Sequence, residues 1–548
     1  SPVSVLHTAS KHHSSQLLFL NVLSVNFLKT YAIIFYMNYK PVIGLEIHAE
    51  LNTKTKMFCD SLNNAGETRP NINVCPICLA HPGTLPVINI EAVNKVIKTG
   101  LALGSKINEL SWFERKNYFY PDLPKGYQIS QYEKPFCEGG ILKLPSGKEI
   151  RIRRVHLEED TGRLVHGSPS SLADSGRLAS LVDYNRAGVP LMELVTEPDI
   201  ESGAEARIFG EELQLLFRYL GVSDADMEKG QMRVEANISL SQISNLKSQK
   251  LGVKVEIKNL NSFRAAERAI DYEIKRQTEI LEKDEKVTQE TRGWDENKST
   301  TFSQRSKEES HDYRYFPEPD LPPVRLDQAQ IDYIKSELPE LPAVRRERFT
   351  REYGITPQDT EVFTIQKELG DYFEKVISEL KDWLTALINP SVSLGAGAEK
   401  YADQRGTEQK LVKLCANYLI TEIQKLLSES KVSVADLKIS AEDFAELIIL
   451  IHQGKISSSA AQTILAEMFK TGEDPHQILE DKNLAQVSDI EELKKAAQEI
   501  IAQNPKPVAD YKKGKTESLK FLIGQLMKAT RGRANPKMGE EVLKDLLG

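Results

Sequence analysis

Acidic and histidine side chains recur at every second position in the segment Val42–Glu50. If this segment is a strand, Glu46, His48 and Glu50 project from one face, because successive side chains of a strand point to opposite sides. Carboxylate oxygens with an occasional imidazole are ligands that suit Mg²⁺ or Mn²⁺. The spacing therefore predicts a strand that presents metal-binding groups.

Two later segments place acids in similar apolar surroundings. Arg154–Gly162 holds Glu158 and Glu159 just before a glycine turn. Val182–Leu194 has Glu193 as its last acid, one residue before the end. Burying several carboxylates together is costly unless a cation neutralises them. Together the three segments predict a divalent cation beside a phosphorylated ligand; three ordinary strands with solvated acidic faces are the alternative.

Composition limits the class of protein. At 548 residues the chain is too long for one core, so two to four domains are expected. A net charge of −8 argues against uniform nucleic-acid coating but allows a local basic patch. Residues 1–36 fit neither a secretory signal nor a membrane span, and we interpret them as an extension upstream of a start near Met37, with a membrane anchor as the lesser alternative.

An odd number of cysteines, five, without secretory features indicates reduced thiols and a cytoplasmic location. Cys75 and Cys78 form a C-x-x-C knuckle, and Cys59 supplies a third candidate ligand. Structural zinc normally has four ligands, and His81 is the nearest candidate for the fourth. Three interpretations stay open: a zinc site, the remnant of a lost zinc site, and a redox pair.

The pattern of apolar residues changes near the rigid segment Pro317–Pro323. Before it, alternating runs at 142–155, 231–240 and 251–257 predict strands, and helical spacing predicts helices at about 201–220 and 262–283. After it, the spacing predicts helix after helix. We expect an α+β fold with a mixed domain at 37–325, an all-α domain at 326–475 and a helical tail at 476–548.

The tail is basic although the whole chain is acidic. Flexible cations near a turn suit phosphates without sequence preference, whereas a solvated helix end is the alternative. Gly514–Thr516 resembles the end of a P-loop, but Ala509 replaces the required first glycine, so we reject that motif. The cations predicted to contact nucleic acid include Lys515, Lys520, Lys528, Arg531, Arg533 and Lys537.

Taken together, the segments from about Asn38 onward resemble a known family, the B subunit of the tRNA-dependent amidotransferase that makes Gln-tRNA(Gln) and Asn-tRNA(Asn). The matching motifs, in order, are Val42–Glu50, Arg115–Gln128, His156–Gly162, Val182–Leu194, Lys258–Phe263, Asp312–Asp320 and Gly524–Pro536. The resemblance implies a cradle-like α+β domain, a helical domain and a helical tail of the YqeY type.

The resemblance also implies an ATP-dependent carbon–nitrogen ligase that uses glutamine as amide donor. ATP phosphorylates the side-chain carboxylate of Glu-tRNA(Gln) or Asp-tRNA(Asn), and ammonia from the A subunit displaces the phosphate. The expected cofactors are ATP and Mg²⁺, with zinc doubtful because Ser61 replaces a ligand, and the expected partners are the A and C subunits and misacylated tRNA, with no membrane. A tRNA-binding scaffold without catalysis and a free-standing carboxylate–amine ligase are the alternatives.

Site residues follow from the same resemblance. Lys116 and Lys125 correspond to the family's channel lysines, which we also expect near the nucleotide. From their charge, Asn185 and Arg186 are expected to face phosphate or the acyl group, with Glu158 and Glu193 as their catalytic partners. The residues implied as metal ligands are Glu46, His48, Glu158, Glu159 and Glu193.

Overall fold

The computed structural model describes residues 39–64, 66–166, 180–242, 252–306, 313–388, 404–482, 484, 490–530, 534 and 536–548. The expected extension at 1–36 lies outside these residues. In the described ranges, no helix combines the length and apolar character needed to cross a membrane.

Up to about residue 340 the described elements are strands with four interspersed α-helices, and the described elements after it are helices. The strands are β1 (Tyr39–Glu50), β2 (Lys106–Ile107), β3 (Leu110–Ser111), β4 (Glu114–Asn117), β5 (Tyr127–Ser130), β6 (Cys137–Glu138), β7 (Ile141–Lys143), β8 (Glu149–Glu159), β9 (Arg163–His166), β10 (Ser180–Asp183), β11 (Pro190–Thr196), β12 (Met232–Gln242), β13 (Val255–Leu260), β14 (Glu290–Asp295), β15 (Thr300–Ser306), β16 (Phe316–Pro317) and β17 (Val324–Arg325). The α-helices are α1 (Ile90–Ala102), α2 (Gly203–Leu220), α3 (Phe263–Leu281), α4 (Gln328–Ser336), α5 (Pro342–Tyr353), α6 (Pro357–Ile365), α7 (Lys367–Ile388), α8 (Gln404–Tyr418), α9 (Gln424–Ser430), α10 (Ala441–His452), α11 (Ser458–Thr471), α12 (Pro475–Asp481), α13 (Ile490–Gln503), α14 (Pro505–Lys512), α15 (Glu517–Ala529) and α16 (Pro536–Leu547).

One ten-stranded sheet organises the first part of the chain. Its order is β15-β14-β13-β12-β1-β11-β8-β6-β2, with β7 paired to β8. The pairs are antiparallel except β13 with β14. Because β1 lies between β12 and β11, its side chains have neighbours on both sides, and His48 lies opposite Arg233 on one strand and Glu193 on the other.

The two faces of this sheet differ because the strands alternate. On β1, Ile43, Leu45, Ile47 and Ala49 are buried in the core together with residues of α1, α2 and α3. The intervening side chains of the same strands carry charge on the opposite face. This charged face includes Glu46, His48, Glu50, Arg154, His156, Glu158, Glu193, Arg233, Glu235 and Lys258.

The predicted elements of this part are largely confirmed. The helices at 201–220 and 262–283 correspond to α2 and α3, and Ser262 caps α3 by accepting from the Ala265 backbone N–H. The run at 142–155 is not one strand: β7 and β8 are joined by a turn at Leu144–Gly147. Proline, serine and glycine interrupt the ladder there.

The remainder of the chain is helical, as predicted, and the α+β assignment with a helical C-terminal region is confirmed. The fold divides into two compact units, Ser1–Leu341 and Pro342–Gly548. The described residues of the second unit form two hydrophobic cores, one around Phe444 and Leu447 and the other around Leu522 and Leu526. The three-part division at 325 and 475 stays a prediction.

A close approach of α2 and α3 depends on Gly210. A Cβ atom there would lie 2.5 Å from the Phe263 ring, so we expect Gly210→Ala to destabilise the fold by about 1–3 kcal/mol through overpacking. Gly524 on α15 has open space around its Cβ position, and Gly524→Ala should stabilise its helix by about 1 kcal/mol. Differential scanning calorimetry measures both, and an unchanged melting curve for Gly210→Ala would contradict this packing.

Candidate metal centre and active site

Three polar clusters lie along the charged face of β1, one at each of Glu46, His48 and Glu50. The central cluster joins three strands, with ligand atoms of His48, Glu158 and Glu193 within 4.8 Å of one another. The Nε2 atom of His48 lies 3.4 Å from Glu193 Oε2 and 3.6 Å from Glu158 Oε1. Strands β1, β11 and β8 thus bring together one residue from each of the three predicted segments.

Burial and charge oppose each other in this cluster. Burial by itself lowers the pKa of His48. The carboxylates of Glu193 and Glu158 raise this pKa by more than burial lowers it, and the result is about 9. Burial also raises the pKa of each carboxyl group, yet the neighbouring cations prevail: the pKa of Glu158 is lowered, and that of Glu193 lies well below its usual range. Two ionised carboxylates therefore face an imidazole, and a divalent cation can replace the protons that balance their charge.

The sequence interpretation assigned no role to two groups that hold this cluster. His156, almost fully buried, lies with its Nε2 atom 3.2 Å from Glu193 and 3.8 Å from Glu158. The Ser130 hydroxyl donates to Glu158 over 2.9 Å. His156 could have been found from the same period-two spacing, since it lies two residues before Glu158; Ser130 is remote in sequence and required the tertiary structure.

Glu46 and Glu159, also expected as ligands, are not in this cluster. Glu46 groups with Glu235 and Glu256 one step along β1, and the Lys258 ammonium contacts both of these partners. The Glu159 carboxylate instead receives the Lys125 ammonium at 2.7 Å and a backbone N–H at 2.9 Å. Neighbouring residues of a strand point to opposite faces, so Glu158 and Glu159 cannot share one ligand set here.

The third cluster contains two carboxyl groups and two guanidinium groups. Burial and the Asp160 charge raise the pKa of Glu50 to about 8, whereas Arg233 and Arg186 keep the pKa of Asp160 low despite its burial. Arg233 donates to Asp160 over 3.0 Å. Glu50 therefore binds a proton more tightly than an ordinary carboxyl group, whereas Asp160 binds one less tightly.

The side chains of Asn185 and Arg186 form their hydrogen bonds with backbone groups. Asn185 Oδ1 accepts from the N–H groups of Ile72 and Asn73, and its Nδ2 donates to the Arg69 carbonyl. Arg186 donates to the carbonyls of residues 161 and 162, and its Nε lies 3.6 Å from Asp160. Both residues hold loops in place, and the expected contact with phosphate or the acyl group stays a prediction.

The two predicted channel lysines lie in different surroundings. Lys116 lies over the Tyr313 ring at 5.2 Å, and the charges of Glu158 and Glu193 raise its pKa although burial opposes this. Lys125, paired with Glu159, lines a cavity of about 260 Å³ that Cys59, Cys78 and His81 also line. One lysine therefore belongs to the central cluster and the other to the cavity.

The three knuckle cysteines converge, with their sulfur atoms within 4.8 Å of one another. The Cys59 thiol, the Cys75 backbone N–H and the Lys56 ammonium lower the pKa of Cys78 to about 4, although burial acts against this. Lys56 is almost fully buried, and its Nζ atom lies 3.8 Å from Cys78 Sγ. Burial lowers the pKa of Lys56, which contacts Cys78, and the three interpretations of this knuckle stay predictions.

Four of the predicted tail cations, Lys515, Lys520, Lys528 and Lys537, lie on or near α15 and α16. Lys515, Lys520 and Lys528 are exposed, and Lys515 contacts Asp510 at 3.4 Å. Arg531 and Arg533 lie outside the described residues. Lys537 falls in the first turn of α16.

Comparison with known proteins decides the family. Residues 41–332 match the GatB/GatE catalytic domain and residues 400–547 match the GatB domain. The chain belongs to the GatB family. A curated relative from Carboxydothermus hydrogenoformans, the B subunit of the aspartyl/glutamyl-tRNA(Asn/Gln) amidotransferase, is 45% identical over 93% of this chain and 99% of its own length.

Two further GatB relatives carry the same name. The protein of Thermotoga maritima is 46% identical over 93% of this chain and 99% of its own length. That of Persephonella marina is 45% identical over 93% of this chain and all of its own length. The match to the catalytic-domain model includes the charged face and the knuckle.

Variants of two adjacent glutamates test whether the metal ligands are His48, Glu158 and Glu193 alone or also include Glu159. We expect Glu158→Gln, Glu193→Gln and His48→Ala each to weaken Mn²⁺ binding at least tenfold, because each removes one of three converging ligands. Glu159→Gln, the matched control one residue away, should retain Mn²⁺ affinity. Electron paramagnetic resonance of free Mn²⁺ measures this, and equal losses for the two glutamine variants at 158 and 159 would refute the assignment.

Proposed function

We propose that this chain is the subunit in which a transfer-RNA-linked carboxylate is activated by ATP and converted to an amide. The acceptor is Glu-tRNA(Gln), Asp-tRNA(Asn) or both, and the ammonia comes from glutamine hydrolysed by the A subunit. The observation that carries the proposal is the convergence of His48, Glu158 and Glu193 on the charged face. Family membership supplies the ATP-dependent ligase class with glutamine as amide donor.

The chemistry explains why such a centre is required. A carboxylate is a poor electrophile because it cannot expel oxide, and transfer of the γ-phosphoryl group of ATP to one of its oxygens supplies a leaving group. Ammonia then attacks the acyl carbon, phosphate leaves with the electron pair of the C–O bond, and the nitrogen loses a proton. Phosphoryl transfer depends mainly on positioning and on neutralising charge.

His48, Glu158 and Glu193 are the residues that would hold Mg²⁺. When bound, Mg²⁺ neutralises charge on the phosphates of ATP. His156 and Ser130 orient the two carboxylates, and the Lys116 ammonium adds positive charge beside them. Mn²⁺ accepts the same carboxylate and imidazole donors, and zinc has no role in this proposal.

The positions of Lys116 and Lys125 support a proposal for the path of ammonia. Lys125 and Glu159 line the cavity, whereas Lys116 lies by the central cluster. We assign the cavity to ammonia entry and Lys116 to the reaction end. Glu50, whose pKa is raised by burial and by Asp160, is a further polar group on the same charged face.

The proposed catalytic role of the metal centre is tested in the assembled A, B and C complex. With Glu193→Gln we expect release of phosphate from ATP and amidation of Glu-tRNA(Gln) to fall by at least 100-fold, because one of two buried carboxylates is removed. Binding of tRNA and hydrolysis of glutamine should persist. Full phosphate release by this variant would instead favour a tRNA-binding scaffold without catalysis in this chain.

The tail cations are tested by salt dependence. Replacing Lys515, Lys520 and Lys528 together by alanine should weaken binding of tRNA and lower the slope of log affinity against log salt by about 2–3, since each phosphate contact releases counterions. A variant with Lys410, Lys413 and Lys425 replaced, all exposed on α8 and α9, serves as a charge-matched control in the preceding helices. Equal slopes for the two variants would contradict a tail-specific contact.

A further inference from the structure

A partly exposed arginine lies directly beside the metal centre. Arg233 on β12 pairs with His48 on β1, and directly opposed residues of an antiparallel pair have Cα atoms about 5 Å apart. Met232 and Val234, its neighbours along β12, are buried in the core, so the Arg233 side chain lies on the charged face. The row that holds two of the proposed metal ligands, His48 and Glu193, therefore continues into a guanidinium group.

Most of this guanidinium is free to bind a ligand. Among the described residues, Arg233 donates a single hydrogen bond, from one terminal nitrogen to Asp160 Oδ2 over 3.0 Å. Arginine has five N–H donors, and the Arg233 side chain is 36% exposed with no nitrogen both buried and unpaired, so its remaining donors can be reached from solvent. Arg186, by contrast, uses two of its nitrogens on backbone carbonyls. Of the two guanidinium groups in this cluster, Arg233 is the one available to a ligand.

Asp160 fixes the direction in which Arg233 points. The Asp160 side chain is almost fully buried, and its second oxygen accepts from the Thr161 backbone N–H over 2.8 Å. The backbone of Asp160 is held as well, since its N–H donates to the Val189 carbonyl and its C=O accepts from the Gly188 N–H. A carboxylate anchored in this way orders the long arginine side chain before a ligand arrives, which lowers the entropy that binding costs. Asp160 is therefore a positioning residue for Arg233.

The charge of Arg233 is shared between the third cluster and the central one. The carboxylates of Asp160, Glu50 and Glu158 raise the pKa of Arg233, although burial acts against them. Glu158 is one of the proposed metal ligands, so the guanidinium lies within electrostatic range of the metal centre. An anion placed between His48 and Arg233 would face the metal centre on one side and the guanidinium on the other.

We propose that Arg233 binds the γ-phosphoryl group of ATP during its transfer, an inference that rests on the proposed function. In this step an oxygen of the acyl carboxylate forms a bond to the γ-phosphorus, the bond from that phosphorus to the bridging oxygen breaks, and ADP leaves with the electron pair. Arg233 donates hydrogen bonds to the non-bridging oxygens and keeps its proton. A guanidinium matches phosphate oxygens with two parallel N–H bonds and stabilises the charge that these oxygens carry in the transition state.

Nucleotide binding to the assembled A, B and C complex tests this contact. Arg233→Ala should weaken binding of the β,γ-methylene analogue of ATP about tenfold and leave binding of ADP within twofold of wild type, because only the analogue carries a γ-phosphoryl group. A purely structural role of Arg233 in holding Asp160 predicts equal losses for the two nucleotides. Isothermal titration calorimetry in the presence of Mg²⁺ measures both affinities. Arg151→Gln, which removes an exposed arginine paired with Asp199, is the control and should change neither.

A second variant, Arg233→Lys, keeps a positive charge beside Asp160 but loses the planar fork. Its kcat for release of phosphate from ATP should fall at least tenfold, whereas binding of tRNA and hydrolysis of glutamine should persist. The proposal is overturned if Arg233→Ala weakens both nucleotides equally or neither, if lysine supports the wild-type kcat, or if only the KM for Glu-tRNA(Gln) rises, which would assign the guanidinium to the acyl carboxylate. Failure of the proposed function is a different result, namely phosphate release that Glu193→Gln leaves intact.

Discussion

The close approach of two buried carboxylates on neighbouring strands is the constraint on which the charged face depends. Glu158 and Glu193 are almost fully buried, and each would cost several kcal/mol if left uncompensated. His48, His156 and Lys116 surround them and supply the opposing charge. The sheet can hold this arrangement because its opposite face is packed with apolar side chains and helices, which fix the strands.

The register of the sheet converts strand alternation into rows across neighbouring strands. One row contains His156, Glu193, His48 and Arg233, which lie opposite one another on β8, β11, β1 and β12. The next row contains Arg154 and Glu46. A shift of one residue in any pair would move a whole set of charges into the core, so the apolar packing and the site enforce the same register.

Beside this centre, several residues with conspicuous chemistry act as positioning groups. The amide of Asn185 holds the loop at Arg69–Asn73, and Arg186 holds the turn that follows Asp160. Lys56 brings a buried amino group to the cysteine knuckle. Polarity in an apolar sequence run thus marks both ligands and the groups that position loops around them, and residue type alone does not separate the two.

The sequence by itself determined the alternation of β1, the helices α2 and α3, the change to an all-helical C-terminal part and, through its ordered motifs, the family. These features depend on local periodicity and on short-range backbone chemistry, which one segment carries alone. Tertiary structure decided that Glu158 belongs to the metal cluster whereas Glu159 pairs with Lys125, that Glu46 joins Glu235 and Glu256, and that Ser130 supports the centre. Those outcomes depend on which strands become neighbours and in what register, because only pairing across distant segments sets which carboxylates share a space.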